Sequence, residues 1–293
     1  MNKYEKKGFY DRIYKFLILI PIILLISSLF YLYNFEQKNG DIINKDVSLT
    51  GGTAITIFDE DINIDVLKED LKENFPDLVI RGISDIRTGR QTGVIIETKA
   101  SPEEIKPELE SLLGYDLTSI NSSIEFSGAS LSEGFYKQLR FTIIIAFVLM
   151  SLVIFVIFRT FVPSLAVILS AFADIVMTIA LVDILGIKVS SAGLVAFLML
   201  IGYSVDTDVM LTSRLIKNRI GSVNKRLYDA FKTGMTMTLT SIAALTVALI
   251  IIYSFSDVLK QIFSVLIIGL VFDIINTWLA NAVILKMYAE AKQ

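Results

Sequence analysis

Residues 201–217 read IGYSVDTDVMLTSRLIK, and the fold of the whole chain turns on how that stretch is taken. It continues an apolar run that starts near Val189, then places Asp206 and Asp208 two positions apart, before the first cations, Arg214 and Lys217. On a water-exposed helix two acids need no explanation. In a membrane-spanning segment each costs about 2.5–3.5 kcal/mol at mid-bilayer, so it is expected to face a bundle interior or an aqueous cavity.

Composition decides for the membrane. Of 293 residues, 54% are hydrophobic, and the net charge of −3 gives no global attraction to nucleic acid. There is no cysteine and no histidine. Disulfides, thiolate nucleophiles, zinc–thiolate sites and imidazole bases are therefore excluded, and proton chemistry falls to carboxylates, lysine and tyrosine. No nucleophile–base pair or metal-ligand set is apparent, so no enzyme, cofactor or metal is expected.

Six apolar runs are long enough to span, near 16–33, 141–158, 163–183, 189–211, 236–254 and 261–285. About 20 helical residues cross a hydrocarbon core of roughly 30 Å. The first run ends in Phe30, Tyr31 and Tyr33 without a small-residue cleavage pattern, which reads as a retained anchor and not a signal peptide. Cations set the orientation. Lys3, Lys6, Lys7, Arg12 and Lys15 precede span one, and Arg159 lies between spans two and three. Arg214, Lys217, Arg219, Lys225, Arg226 and Lys232 lie between spans four and five, and Lys286 and Lys292 at the end. Lys188 and Lys260 fall on the other side. A multi-pass protein of the cytoplasmic membrane is expected, with residues 1–15 and 286–293 cytoplasmic, a first span at 16–33, residues 34–140 outside, and the remaining spans within 141–285.

Residues 34–140 are acidic on balance and alternate strand and helix patterns. GGTAITIF (51–58) alternates with period two, and NIDVLKEDLKENF (63–75) has helical spacing through Ile64, Leu67, Leu71 and Phe75. LVIRGISDI and TGVIIETK predict two strands about a turn, and SPEEIKPELESLLG a helix with a Ser101/Glu104 capping box stopped by Gly114. LTSINSSIEFSG supplies a last strand. The order βαββαβ predicts an α+β ferredoxin-like domain between helices 1 and 2 of a six-helix membrane protein. The pair Gly51-Gly52 lacks the GK[ST] and following helix of a phosphate loop, and reads as a tight turn.

Within the spans the candidates for a proton- or ion-coupling site are Asp206, Asp174, Asp208 and Asp273. Helical spacing surrounds them with small and polar residues. Ser170, Ala171 and Thr178 neighbour Asp174, Gly202 neighbours Asp206, and Gly269, Asn276 and Thr277 neighbour Asp273. Thr233, Thr236 and Thr240 form a stripe in span five. Together these predict a polar seam supported by Gly202, Thr236, Thr240 and Asn276. The alternative is that the acids only bridge helices by hydrogen bonds. Residues i and i+2 stand about 200° apart on a helix, so Asp206 and Asp208 cannot share a face. The Gly202 stripe favours Asp206 as the inward acid and Asp208 as the wetter one. Asp183, at a span end, reads as a solvated interface residue.

Several segments resemble the SecF family of the SecD/SecF group, itself part of the RND superfamily. They are SLTGGTAITI, FSGASLSEGF, ADIVMTIALVDILG, IGYSVDTDVMLTSRLIKNR and FKTGMTMTLTS, in family order, and they look more archaeal than bacterial. The resemblance implies an RND-like half of six spans, a SecD-like partner supplying the other half, a SecY-type channel, and assistance to translocating polypeptides in the membrane lipid. It also implies a link to the proton-motive force through fourth-span carboxylates. By motif, Asp174 takes the third-span aspartate place, Asp206 the asparagine place of GYSIND, and Thr207 the aspartate place that Asp208 just follows. The bacterial span-five arginine is Thr236 here. A half of an RND-type transporter for a lipid, drug or ion is the competing reading.

Overall fold

The computed structural model describes residues 9–85, 88–217, 220–253 and 256–292, with the side chains of residues 9–12, Ser130 and Asp257 left aside. Lys3, Lys6, Lys7 and Arg219, used above for orientation, lie outside the described residues, as does the side chain of Arg12. The chain divides into two compact units: Met1–Asn44 with Phe141–Gln293, and Lys45–Arg140.

The helical unit contains six helices long and apolar enough to cross a membrane: Ile13–Asn39, Leu131–Phe158, Phe161–Ile184, Ser191–Lys217, Val223–Ile252 and Val258–Ala291. Most run past the predicted spans, because a helix keeps its backbone bonds beyond the hydrocarbon edge. We label the elements α1 (Phe9–Leu17), α2 (Leu19–Asn39), α6 (Ala129–Phe158), α7 (Phe161–Ile184), α8 (Ser191–Thr212), α9 (Val223–Ile252), α10 (Asp257–Asn276) and α11 (Ala282–Ala291). Five-residue π-helical turns follow α8 (Ser213–Lys217) and α10 (Thr277–Asn281).

The spans fall into two kinds. Those built on α7 and α8 bury 61% and 50% of their apolar windows inside the protein, whereas those on α2, α6 and α9 bury only 6–11%. The reason is visible in the side chains. Ile20, Ile22, Ile23 and Ile26 of α2 and Val148, Leu149, Leu152 and Val153 of α6 point outward, as lipid-facing residues do. In contrast, α7 and α8 are rich in small residues that let helices approach. At Gly269 of α10 a Cβ would stand 2.4 Å from the Leu200 side chain of α8, so any larger residue would push Leu200 aside.

The other unit carries β1 (Gly52–Ile57), α4 (Ile64–Lys72), β2 (Val79–Ser84), β3 (Gln91–Thr98), α5 (Pro102–Leu113) and β4 (Ser122–Ser127), preceded by a one-turn helix α3 (Val47–Thr50) capped by Asp46. The sheet order is β2-β3-β1-β4, all neighbours antiparallel. Ile55 and Ile57 of β1 pair with Ile96 and Val94 of β3, and these four are fully buried beneath Leu67 and Leu71 of α4 and Ile105 and Leu109 of α5. Asn63 caps α4, and the Ser101/Glu104 capping box opens α5. Gly51 and Gly52 (φ 83° and 129°) make the predicted turn: a Cβ on Gly52 would stand 2.3 Å from the Thr98 carbonyl oxygen.

Candidate functional site: a buried carboxyl cluster

Three aspartates meet in the interior of the helical unit, one each from α7, α8 and α10. Asp174, Asp208 and Asp273 are all fully buried. Asp174 accepts from the Ser204 hydroxyl of α8 at 2.5 Å through Oδ2, and from Asn276 Nδ2 of α10 at 2.6 Å through Oδ1. Asp208 Oδ1 accepts from Asn281 Nδ2 at 2.7 Å and from Thr277 Oγ1 at 2.8 Å. The same Thr277 hydroxyl lies 3.2 Å from Asp273 Oδ1. The second oxygens of Asp208 and Asp273 find no hydrogen-bond partner among the described residues.

Local helix geometry assembles the cluster. Ser204 and Asp208 are one turn apart on α8, so one helix face serves both Asp174 and the α10 side. Asp273, Thr277 and Asn281 follow at steps of four. The π turn at Thr277–Asn281 slows the helical advance there, and Thr277 and Asn281 both reach one oxygen of Asp208. Such wide turns occur often at functional sites.

Burial reverses the expected assignment of the fourth-span acids. Asp206 is exposed on α8 and Asp208 is fully buried. The inward face of α8 runs through Leu200, Ser204, Thr207, Asp208 and Leu211. Gly202 misled the phase: it is exposed, and a Cβ there would meet nothing within 4 Å. Thr236 and Thr240 are also exposed, their hydroxyls turned back onto the carbonyls of Lys232 and Thr236. The inward hydroxyl of α9 is Thr238, 3.5 Å from Thr207. Of the four supporting residues named from sequence, Asn276 alone joins the cluster. Asn281 and Thr238 go unnamed in the sequence reading, while Ser204 and Thr207 do not figure there as part of the seam. Ser204 and Asn281 are signalled only by steps of four and eight from Asp208 and Asp273, once those acids are known to be inward.

Asp183 also departs from expectation. It is 5% exposed and not a solvated end residue, because the chain after α2 folds over it and the Asn44 amide donates to its Oδ1 at 3.0 Å. Among the described residues, no group of three or more acids is spaced to hold a metal ion. The ion pairs Arg81–Glu97, Lys106–Glu110, Glu133–Lys137 and Lys286–Glu290 among the described residues all lie outside the cluster.

Comparison with known proteins now bears on this arrangement. The family model for the C-terminal part of the protein export membrane proteins SecD/SecF matches residues 110–291. A protein-export membrane protein SecF from Methanocaldococcus jannaschii is 40% identical over 284 residues, covering 94% of this chain and 95% of the relative. The chain belongs to the SecF family. SecF proteins of Methanolacinia petrolearia and Methanothermobacter thermautotrophicus are 36% and 37% identical, each with at least 96% of both chains covered. The crystal structure of SecDF, a translocon-associated membrane protein from Thermus thermophilus, superposes with a TM-score of 0.78 at 19% identity. That likeness covers all of this chain but 40% of the SecDF chain, and it speaks to the fold alone. The carboxyl cluster therefore sits in a mostly helical, multi-pass SecF membrane fold.

Proposed function

We propose that this chain is an accessory subunit of Sec protein export that acts beside a SecD-like partner and draws on the proton-motive force through its buried carboxyls. The near full-length likeness to SecF proteins supports the export role over a lipid, drug or ion transporter. The SecDF fold, of which this chain spans 40%, supports a second membrane half as partner. A SecY-type channel and a translocating polypeptide complete the proposed assembly, in the lipid of the cytoplasmic membrane. In this reading the Lys45–Arg140 unit is the ferredoxin-like extracytoplasmic domain, with both termini on the cytoplasmic side. The antiparallel order β2-β3-β1-β4 beneath two helices supports that assignment.

The single observation that carries the coupling role is the meeting of Asp174, Asp208 and Asp273 from three different spans with no compensating cation among the described residues. Uncompensated buried charge is costly enough that a carboxyl takes up a proton instead. A group that must gain and lose protons between three helices ties protonation to how those helices pack. The exposure of Asp206 on the α8 face with Gly202 and Tyr203 supports a role for it toward the partner half rather than in the cluster.

Export into membrane vesicles with and without an uncoupler tests the proposal. Asp208→Asn should lower export at least tenfold and leave the residue insensitive to the uncoupler, while Asp206→Asn should act more weakly. Normal, uncoupler-sensitive export by Asp208→Asn would sink it.

A further inference from the structure

The cluster's hydrogen bonds do not balance unless one acid carries a proton, and they say which. A threonine hydroxyl has one hydrogen. Thr277 Oγ1 lies 2.8 Å from Asp208 Oδ1 and 3.2 Å from Asp273 Oδ1, so it can donate to only one of them. Asp174 already receives two donors, Ser204 and Asn276. Asp208 receives Asn281 and is the nearer to Thr277. Asp273 alone has no donor of its own, since the two hydroxyls beside it, Thr277 and Ser204, are directed at Asp208 and Asp174, and its Oδ2 makes no hydrogen bond among the described residues. With the hydroxyl turned to Asp208, the contact with Asp273 Oδ1 is favourable only if Asp273 supplies the hydrogen.

A second observation stands outside these bonds. Ser170 of α7 is 4% exposed and lies against Asp208, with its hydroxyl short of a close hydrogen bond to it. It is a buried polar group aimed at the acid on the far side of Thr277. Among the described residues no cation pairs with the cluster. The buried Lys286 of α11 is 3.7 Å from Glu290 and lies over the Tyr14 ring. The ionisable groups turned to the cluster are Asp174 from α7, Asp208 from α8 and Asp273 from α10, while α9 brings only the Thr238 hydroxyl, through Thr207.

We propose that Asp273 holds a proton and passes it to Asp208 through the Thr277 hydroxyl, so that α10 and α8 share one proton inside this half. The step balances. The proton of Asp273 moves to Thr277 Oγ1 as the hydroxyl's own proton moves to Asp208 Oδ1. Asp273 is left ionised, Asp208 neutral, and Thr277 unchanged with its hydrogen turned to Asp273. Ser170 is then in place to bond the neutral Asp208. Thr277 is the relay in this scheme, and its wide π turn keeps the hydroxyl between two helices. The proposal deepens the coupling reading above and rests on it for its purpose, though not for its detection.

Infrared difference spectroscopy of the full-length chain in lipid vesicles at neutral pH tests it, reading the carboxylic acid C=O stretch and its shift in D2O. The wild type should show an acid band that Asp273→Asn removes. Thr277→Val should move that band to higher wavenumber, because the acid loses its acceptor, and Thr277→Ser should restore its position. No wild-type acid band, a band unchanged by Asp273→Asn, or identical bands in Thr277→Val and wild type would each overturn the proposal. So would a band abolished by sodium at constant pH, which would assign the cluster to a cation. The two readings fail separately. The expected bands with Asp208→Asn export still normal and uncoupler-sensitive would leave the shared proton and remove its link to export. Uncoupler-insensitive export in Asp208→Asn with no acid band would do the reverse.

Discussion

The two units of this chain are built inside out with respect to each other. In the Lys45–Arg140 unit, Ile55, Ile57, Leu71, Val94, Ile96, Ile105 and Leu109 are fully buried, and the acids and lysines lie largely at the surface. In the helical unit, isoleucine, leucine and phenylalanine cover the outside of α2 and α6, while Asp174, Asp208, Asp273, Asn276 and Asn281 are hidden. Water drives the first arrangement by expelling apolar area. Lipid offers no such drive, since its tails are as apolar as leucine, so close packing of small residues and hydrogen bonds between helices hold the second. The same deletion should therefore have different consequences in the two places.

The largest effect belongs to the sheet unit. Ile96→Ala removes a buried side chain from the centre of the sheet, where it pairs with Ile55 and Ile80, and should destabilise that unit by about 2–5 kcal/mol. Hydrogen exchange on the full-length chain would read this as faster exchange of β1 and β3 amides. Ile23→Ala, on the exposed face of α2, is the matched deletion in the helical unit and should cost little, because lipid fills the space. Equal losses at the two positions would break the contrast.

A smaller effect is expected inside the cluster. Ser204→Ala deletes the 2.5 Å bond to Asp174, and interhelical hydrogen bonds of this kind average about 0.6 kcal/mol in membrane proteins. Unfolding of the purified protein in a bilayer mimetic would measure it. A double-mutant cycle with Asp174→Asn isolates the pair, and a coupling above about 2 kcal/mol would show that the cluster holds the fold and not only a proton.

The difference between the units also governs what could be read from sequence. Strand alternation, the helical spacing from Ile64, the Ser101/Glu104 box and the Gly51-Gly52 turn are local signals, and each sits where its pattern places it. Six apolar runs were equally plain. The inward face of α8 was not, because a helix apolar nearly all round carries no phase. Exposed Val195, Met199 and buried Leu194, Phe197 look alike in a sequence. Gly202 has the look of a close-packing glycine, yet it is Gly269, against Leu200, and Gly234, against Trp278, that neighbours approach closely. Asn281 lay beyond reach for another reason: the π turn that brings it to Asp208 depends on the packing of α10 and leaves no mark in the residues themselves.

The smallest effect lies at the surface of the sheet unit and gives the chain a pH dependence of its own. The Tyr115 hydroxyl donates to Asp59 Oδ2 at 2.6 Å. That bond holds the Asp59 carboxyl below its ordinary range, while burial and the same bond push the Tyr115 phenol up to about 12. The signs follow by linkage. A depressed acid contributes stability above its unfolded value, near 4, and loses it as pH falls through the folded one. A raised phenol contributes fully below its unfolded value of about 10, and loses that as pH rises through about 12. The bond therefore works across the middle of the pH range and fails at both ends. Both groups are only half-buried, so solvent screening keeps the contribution to about 1 kcal/mol or less. Tyr115→Phe should raise the Asp59 titration midpoint toward the ordinary carboxylate value, read from its side-chain carbon resonance, with little change in unfolding at neutral pH. An Asp59 midpoint unmoved by the substitution would show that the phenol does not set the charge state of this surface.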